Sequence, residues 1–512
     1  MHTACDMSAA HTICARKLFS RISSSAHRAN NRHIYATHSL LSRVTQWEDL
    51  PGPVALPKIG SMHVFAGSNR HRLHIVTKDL VDKYGKVIRL TFGSRAFAVA
   101  DANLMEEVLR QQDPVPFREP PLSWVEYLNK HNVSGGLLTS QDEDWARKRK
   151  SVQSLMLKPF TMEDFVPCLE KLSEDFCNHI ELMRDESGYV DSLPLHLYRF
   201  AFDGIVSIIF GQRAGCLAVE PSKRGDEFIS AVSVILESSF NSLMIFAKLQ
   251  LKYNTKKWQQ HEQAWDKTKD STQYFLEKMM DRLDSSSLDF TPMASSLLAN
   301  SALSRLDTEY MLMEFLFGGV DTSSNTLGFM LYLLASHPEK QEKLRAEILE
   351  HSDHLDIHVV KNLKYLNMCI KETLRLYPIL FINGRTIRKD FVSQKGIQFK
   401  AEDKVMFWHY CICRDPDVWQ NPDEFIPERF DRNTTTTDSP ERKLVSIPFG
   451  FGTRACIGRR IAELEIALCI IKVLTQFNLT LDKSKPVWTP LTRALLTPGK
   501  QIPIKFNDLY RH

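Results

Sequence analysis

No stretch of this chain offers 18 or more apolar residues free of charge, so no membrane-crossing helix is expected. The ten cysteines follow no framework spacing, and the Cys411–Cys413 pair is not a metal-ligand spacing; reduced thiols are the expectation. No repeat period and no long low-complexity tract is present, and the threonine run at 433–443 reads as a surface loop. Strand and helix patterns do not alternate, which excludes a doubly wound sheet. An excess of base is also missing once residues 1–45 are set aside. That segment holds six of the 65 Lys/Arg and one of the 61 Asp/Glu, and the remainder is close to neutral. Nucleic acid is therefore not an implied partner. The leader itself has no apolar core of the secretory kind. It is rich in Arg, Ser and His and almost free of acid, which fits a mitochondrial transit peptide; a disordered basic tail is the alternative.

What is present reads as mainly α with a small β part, in one helix-rich domain over 46–512. A proline-rich entry at 50–60 should run extended over the surface. Residues 84–101 alternate like a hairpin around Gly93-Ser94. The segment 309–340 is apolar on most faces and should cross the interior as the longest helix. A helix over 364–378 should end near Pro378, with short strands after it at 385–406. In the last helix Ile461, Leu464, Leu468 and Ile471 recur at helical spacing.

One cysteine has unusual neighbours. Cys456 lies in PFGFGTRACIGRR, residues 448–460, just before that last helix. Gly450, Gly452 and Gly458 should let the backbone turn sharply and approach a bulky partner. A helix N-terminus favours an anion, lowers a thiol pKa and so favours a thiolate metal ligand. Arg454 supplies a fork suited to a carboxylate, and Phe449 can shield the sulfur. A flat, dianionic, metal-centred partner accounts for these together, and haem is one. A buried structural cysteine is one rival. A phosphate loop is the other, but it lacks the preceding strand and the usual glycine pattern.

The remaining candidates lie on helices. Asp321 and Thr322 interrupt the apolar central helix, with Gly318 and Gly319 about one turn before them. Each glycine there costs about 1 kcal/mol against alanine, offset if it makes room for a ligand and opens the helix locally. A hydroxyl and a carboxylate at such an opening could pass protons to dioxygen. The plainer alternative is a Thr322 bond back to the Gly318 carbonyl and a salt bridge for Asp321. Glu372 and Arg375 share a helix face among Ile370, Leu374 and Leu376, which points to a buried pair in need of more partners. Trp145 and Arg149 are four apart on one face, and the run 147–150 also reads as a solvated basic surface.

From about residue 47 onward the chain resembles the cytochrome P-450 family of haem-thiolate monooxygenases. The cysteine loop carries the resemblance, with FGGVDTSSNT, KETLRLYP, FIPERF (425–430) and WARKR (145–149) following the family's order. The resemblance implies haem b with Cys456 as axial ligand and proton delivery by Asp321 and Thr322. It implies haem propionates held by Trp145, Arg149 and Arg385, and a scaffold in which Arg429 joins Glu372 and Arg375. Electrons must come from a partner, since no flavin or iron–sulfur segment is evident. Arg459, Arg460 and Lys371 suit the docking of an acidic [2Fe–2S] ferredoxin, itself served by an NADPH-dependent reductase. One departure is Asn367, where the mitochondrial class often carries a second lysine. The implied substrate is a lipophilic small molecule, a sterol or steroid in the first instance, with ecdysteroid precursors and foreign compounds as alternatives. Its pocket walls would come from 120–136, 229–249, the central helix and 491–498. Segment 229–249, with Lys248, Lys252, Lys256 and Lys257 at and after its end, could rest on a membrane surface; an amphipathic core helix explains it at least as well. A haem sensor or a haem-thiolate isomerase remains as a rival, without oxygen chemistry.

Overall fold

The computed structural model describes residues 44–157, 160–239, 243–284, 292–351, 356–431, 444–486 and 488–509. Most of the leader and the threonine run lie outside the described residues. The helices in chain order are α1 Leu73–Tyr84, α2 Ala102–Arg110, α3 Leu122–Lys130, α4 Asp142–Leu157, α5 Val166–Met183, α6 Leu193–Phe210, α7 Lys223–Ser239 and α8 Leu243–Lys252. They continue with α9 Lys256–Asp284, α10 Met293–Leu298, α11 Arg305–Ser336, α12 Pro338–Glu350, α13 Ile357–Asn362, α14 Lys364–Leu376, α15 His409–Ile412 and α16 Arg459–Gln476.

The strands are minor. β1 Val87–Thr91 and β2 Arg95–Val99 form the expected antiparallel hairpin, turned at Gly93 with φ 76°. β2 then pairs in parallel with β6 Lys404–Phe407, which pairs antiparallel with β3 Asn383–Thr386. Three two-stranded sheets complete the set: β4 Phe391–Val392 with β5 Gln398–Phe399, β7 Phe477–Leu481 with β10 Ile504–Asp508, and β8 Leu491–Thr492 with β9 Leu496–Thr497.

α11 crosses the interior, packed by α6, α9 and α16. A capping box fixes its start: Ser304 Oγ accepts from the Asp307 amide at 3.0 Å, and the Asp307 carboxylate accepts from the Ser304 amide at 3.1 Å. With no polar face, α11 must be surrounded. From Tyr310 to Leu331 every residue is buried except Gly318, Gly319 and Thr322. α6 is long and apolar enough to cross a membrane by length and composition, but 83% of that span is buried in the protein. It also carries Arg199 and Asp203, which marks it as a core helix.

Candidate functional site

The cysteine loop turns through two left-handed glycines, Gly450 at φ 75° and Gly452 at φ 72°. Glycine adopts that region without the steric cost that a Cβ brings. Gly458 differs from the expectation. It has an ordinary φ of −84° and serves as the N-cap of α16. Cys456 thus stands two residues ahead of the N-cap, its amide bonded to the Phe449 carbonyl at 2.7 Å. Among the eight described cysteines it alone is exposed. The Gly458 amide, Arg149 and Arg459 all favour a thiolate. These groups act in the direction expected of a helix N-terminus, and a cation on the sulfur would complete the stabilisation of a thiolate. Among the described residues no three His, Cys, Asp or Glu gather as a metal site. A metal at Cys456 would need further ligands from a ring of its own.

Four guanidinium groups converge beside this loop: Arg118, Arg149, Arg385 and Arg454. None lies within 4.0 Å of a carboxylate among the described residues. Arg454 Nε donates to the Pro116 carbonyl at 3.0 Å and Nη2 to Gln141 Oε1 at 3.0 Å. Its guanidinium lies 3.8 Å from the centre of the Trp145 ring, a close cation–π stack. Burial first, then Arg118, Arg385 and Arg149, pull its pKa down to about 9. Burial and Arg118 likewise bring Arg385 down to about 10. Arg385 Nε donates to Gln112 Oε1 at 3.1 Å, while Gln112 Nε2 and both ring nitrogens of the neighbouring His409 are buried without a partner. Buried cations without counter-charge and orphaned polar atoms are costly unless something completes them. A group with two carboxylates fits. Arg118 and Arg149 also act electrostatically on Cys456, which places that group beside the sulfur.

The run 147–150 is not a uniform solvated face. Lys148 is fully buried, donating to Gly135 O and Ser134 Oγ at 2.7 Å and to Asp144 at 2.8 Å. Arg147 pairs with Asp144 and Asp307, and Arg149 turns inward.

On α11 the two glycines have separate causes. A Cβ on Gly319 would meet Ile205 of α6 at 2.9 Å, so this glycine serves helix packing. A Cβ on Gly318 would meet nothing within 4 Å, so only this one opens a space. The helix runs on without the expected local opening. Thr322 Oγ1 donates to the Gly318 carbonyl at 2.7 Å, the plainer of the two expected arrangements. Asp321, in contrast, forms no salt bridge among the described residues. Its Oδ2 is buried and unpartnered, and burial raises its pKa to about 6 against the pull of Tyr198 and Arg493.

The scaffold network is as expected. Arg375 forks onto Glu372 with two bonds of 2.7 Å, and Arg429 Nε donates to Glu372 Oε1 at 2.9 Å. Arg375 also donates to the carbonyls of Cys413, Pro422 and Glu424, so the buried pair has its further partners.

On the surface near the loop, Lys371 of α14 is exposed. Arg459 pairs with Glu463 at 2.9 Å, and Arg460 is half-buried with Nη1 out of solvent and unpartnered. The expected pair of open arginines is thus one neutralised and one sunk. Asn367 donates to the Leu363 and Lys361 carbonyls at 2.7 and 3.1 Å, tying α13 to α14.

Sequence reasoning missed several residues. Arg118, Gln141 and His409 belong to no motif read from the chain. Glu314 of α11 is buried, accepts from the Gly136 amide at 3.0 Å and from Thr139 Oγ1 at 2.5 Å, and clamps the loop that carries Gln141. An acid four residues before Gly318 was the available signal. Glu465 of α16 is a second buried acid, bonded to Ser323 and raised to about 8 by burial.

A family model for Cytochrome P450 matches residues 50–506. The chain is 30% identical over 481 residues to the mitochondrial sterol 26-hydroxylase of Oryctolagus cuniculus, covering 89% of this chain and 88% of that one. It is 30% identical over 478 residues to the mitochondrial 25-hydroxyvitamin D-1 alpha hydroxylase of Rattus norvegicus, covering 90% and 94%. The mitochondrial cholesterol side-chain cleavage enzyme of Mesocricetus auratus is 30% identical over 473 residues, covering 90% and 89%. A cysteine loop beside four arginines that make no ion pair among the described residues agrees with what these matches show: the chain belongs to the cytochrome P450 family and is a haem-thiolate monooxygenase.

Proposed function

We propose that this protein hydroxylates a sterol or steroid in mitochondria, with Cys456 as the haem ligand and electrons from an acidic [2Fe–2S] ferredoxin and its NADPH-dependent reductase. The arginine cluster beside Cys456 carries the site assignment. Three relatives named for sterol, cholesterol and vitamin D substrates support the substrate class. Thiolate-bound haem b supplies the activation of O2, one oxygen atom passing to the substrate and the other to water at the expense of two electrons and two protons.

The chain's own residues do the rest. Arg118, Arg149, Arg385 and Arg454 would hold the two carboxylates of the haem by charge-assisted bonds, and Trp145 fixes Arg454 by stacking. Gly318 leaves room for a small diatomic against the helix. Asp321, near pKa 6, can both take and release a proton near neutrality, and Thr322 Oγ1 can turn from its backbone bond to donate inward. Glu372, Arg375 and Arg429 tie the segment before the cysteine loop to α14.

Lys371, exposed on α14, marks the docking face; Arg459, paired with Glu463, and half-buried Arg460 lie on the adjoining α16 and add little free charge. α14 packs on α16, so this face adjoins the cysteine loop. Residues 46–512 form the haem domain behind an import leader over 1–45. Phe246, Leu249 and Tyr253 are exposed on and just after α8, beside exposed Lys248, Lys252 and Lys256. That surface suits peripheral contact with the matrix face of the inner membrane.

The test is reconstitution with ferredoxin, reductase, NADPH and 18O-labelled dioxygen over a panel of sterols and secosteroids. One labelled oxygen in a hydroxylated product is expected. NADPH consumption without a labelled product from any member of the panel would remove the substrate class. Turnover by a microsomal flavoprotein reductase and none by ferredoxin would remove the partner.

A further inference from the structure

We propose that Tyr198, Ser233 and Arg493 form a water-holding relay beside Asp321, with Tyr198 and Arg493 as positioning residues that set when its carboxyl holds a proton. This rests on the proton-delivering role given to Asp321 above. A small cavity of about 10 Å³ is lined by Tyr198, Ser233, Asp321, Asn325 and Arg493. That is room for about one water, and too little for any part of a substrate.

One buried atom in this cavity lacks a partner, and a half-buried cation lines the cavity with it. Asp321 Oδ2 is buried and accepts nothing. Arg493 has no carboxylate within 4.0 Å among the described residues; its Nη1 donates to Ser233 Oγ at 3.2 Å. A single water accepting from Arg493 and donating to Asp321 Oδ2 satisfies both, with Tyr198 at hand as a further partner. The Tyr198 hydroxyl lies close enough to the carboxylate to favour its charged form, and 3.3 Å from Asn325 Oδ1. Asn325 Nδ2 in turn donates to the Asp321 carbonyl at 2.6 Å.

Exposure is graded across the cavity. Ser233 and Arg493 are half-buried at its rim, whereas Asp321 and Asn325 are buried at its base. The rim therefore links solvent to the acid. Each proton that leaves Asp321 inward is replaced from solvent through the bridging water, and the carboxyl returns to its starting state. The facing groups are Tyr198 from α6 and Arg493 from the turn between β8 and β9. α7 contributes only the uncharged Ser233 and Leu236. Glu465 of α16 lies elsewhere on α11, against Ser323.

The test is an infrared pH titration of the resting holoenzyme, with the Asp321 carboxylic C=O band assigned by its loss in Asp321→Asn. The wild-type midpoint is expected near 6. Tyr198→Phe and Arg493→Gln each remove a group that favours the anion, so each should move the midpoint upward. Arg493→Lys should restore most of the shift. In turnover, both variants should divert more NADPH electrons to hydrogen peroxide. Unchanged midpoints in both overturn the relay. If Tyr198→Phe does not fold, Arg493→Gln on the half-exposed hairpin decides alone. Coupling that survives Asp321→Asn removes the role of Asp321 itself. Coupling lost in Asp321→Asn but intact in the other two variants removes the relay only.

Discussion

Replacing Glu465 by Gln should stabilise this protein at neutral pH, by an amount that depends on pH in a defined way. Glu465 is 3% exposed on α16 and faces α6 so closely that a Cβ on Gly204 would lie 2.1 Å from Oε1. Oε1 has no hydrogen-bond partner, and burial raises the carboxyl pKa from 4.5 to about 8 although the Ser323 bond opposes the shift. In the folded state the group therefore stays protonated up to about pH 8, while in the unfolded chain it ionises above pH 4.5. Between those values the folded state binds more protons, so stability falls as pH rises, by about 1.4 kcal/mol per unit. At pH 7 the accumulated cost is about 3 kcal/mol. Glutamine keeps the shape, accepts from Ser323 and carries no charge, so it removes that cost. Urea unfolding of both holoenzymes, followed by tryptophan fluorescence at pH 5, 6, 7 and 8, reads the difference. The variant should exceed wild type by under about 1 kcal/mol at pH 5 and by about 3 kcal/mol at pH 7. A gap that stays constant with pH, or a variant weaker at pH 7, would refute the assignment of a neutral buried acid.

Three further outcomes follow from the geometry. Cys456→Ser should fold with unchanged far-ultraviolet circular dichroism. Its dithionite-reduced carbon monoxide complex should lose the red-shifted Soret band, and hydroxylation should stop. Glu372→Ala leaves Arg375 buried without its counter-charge and Arg429 without its carboxylate, and should cost about 3–5 kcal/mol in urea unfolding. Gly318→Ala and Gly319→Ala should part company in thermal melts. The first gains up to about 1 kcal/mol of helix propensity because nothing opposes its methyl; the second loses stability against Ile205.

The legible part of this protein lay in local patterns. The hairpin at 84–101, the long apolar helix and the amphipathic α14 each declare themselves through periodicity, because burial on one or all faces constrains every residue along the element. The cysteine loop was legible for a different reason: glycines, a fork-shaped cation and a thiol within nine residues admit few explanations. What stayed hidden has long sequence separation. Arg118 reaches Arg454 across more than 300 residues, and nothing in PFREPP marks it. Arg493 and Tyr198 meet at Asp321 from more than 100 residues away on either side. Even adjacent residues divided, since Gly318 and Gly319 look alike in sequence and face a space and a helix respectively.

By itself the amino-acid sequence determined the class of fold, the chemistry of the cysteine loop and the identity of the acid and alcohol on α11. Those depend on neighbours within a turn or a loop, where covalent geometry fixes spacing. Tertiary structure decided which charges are paired and which are left waiting. It neutralised Arg459, sank Arg460, buried Lys148 and held Glu465 uncharged. It also gathered four arginines with no acid among them. Ionisation and pairing depend on what is packed within a few ångströms, and only the folded chain sets that distance.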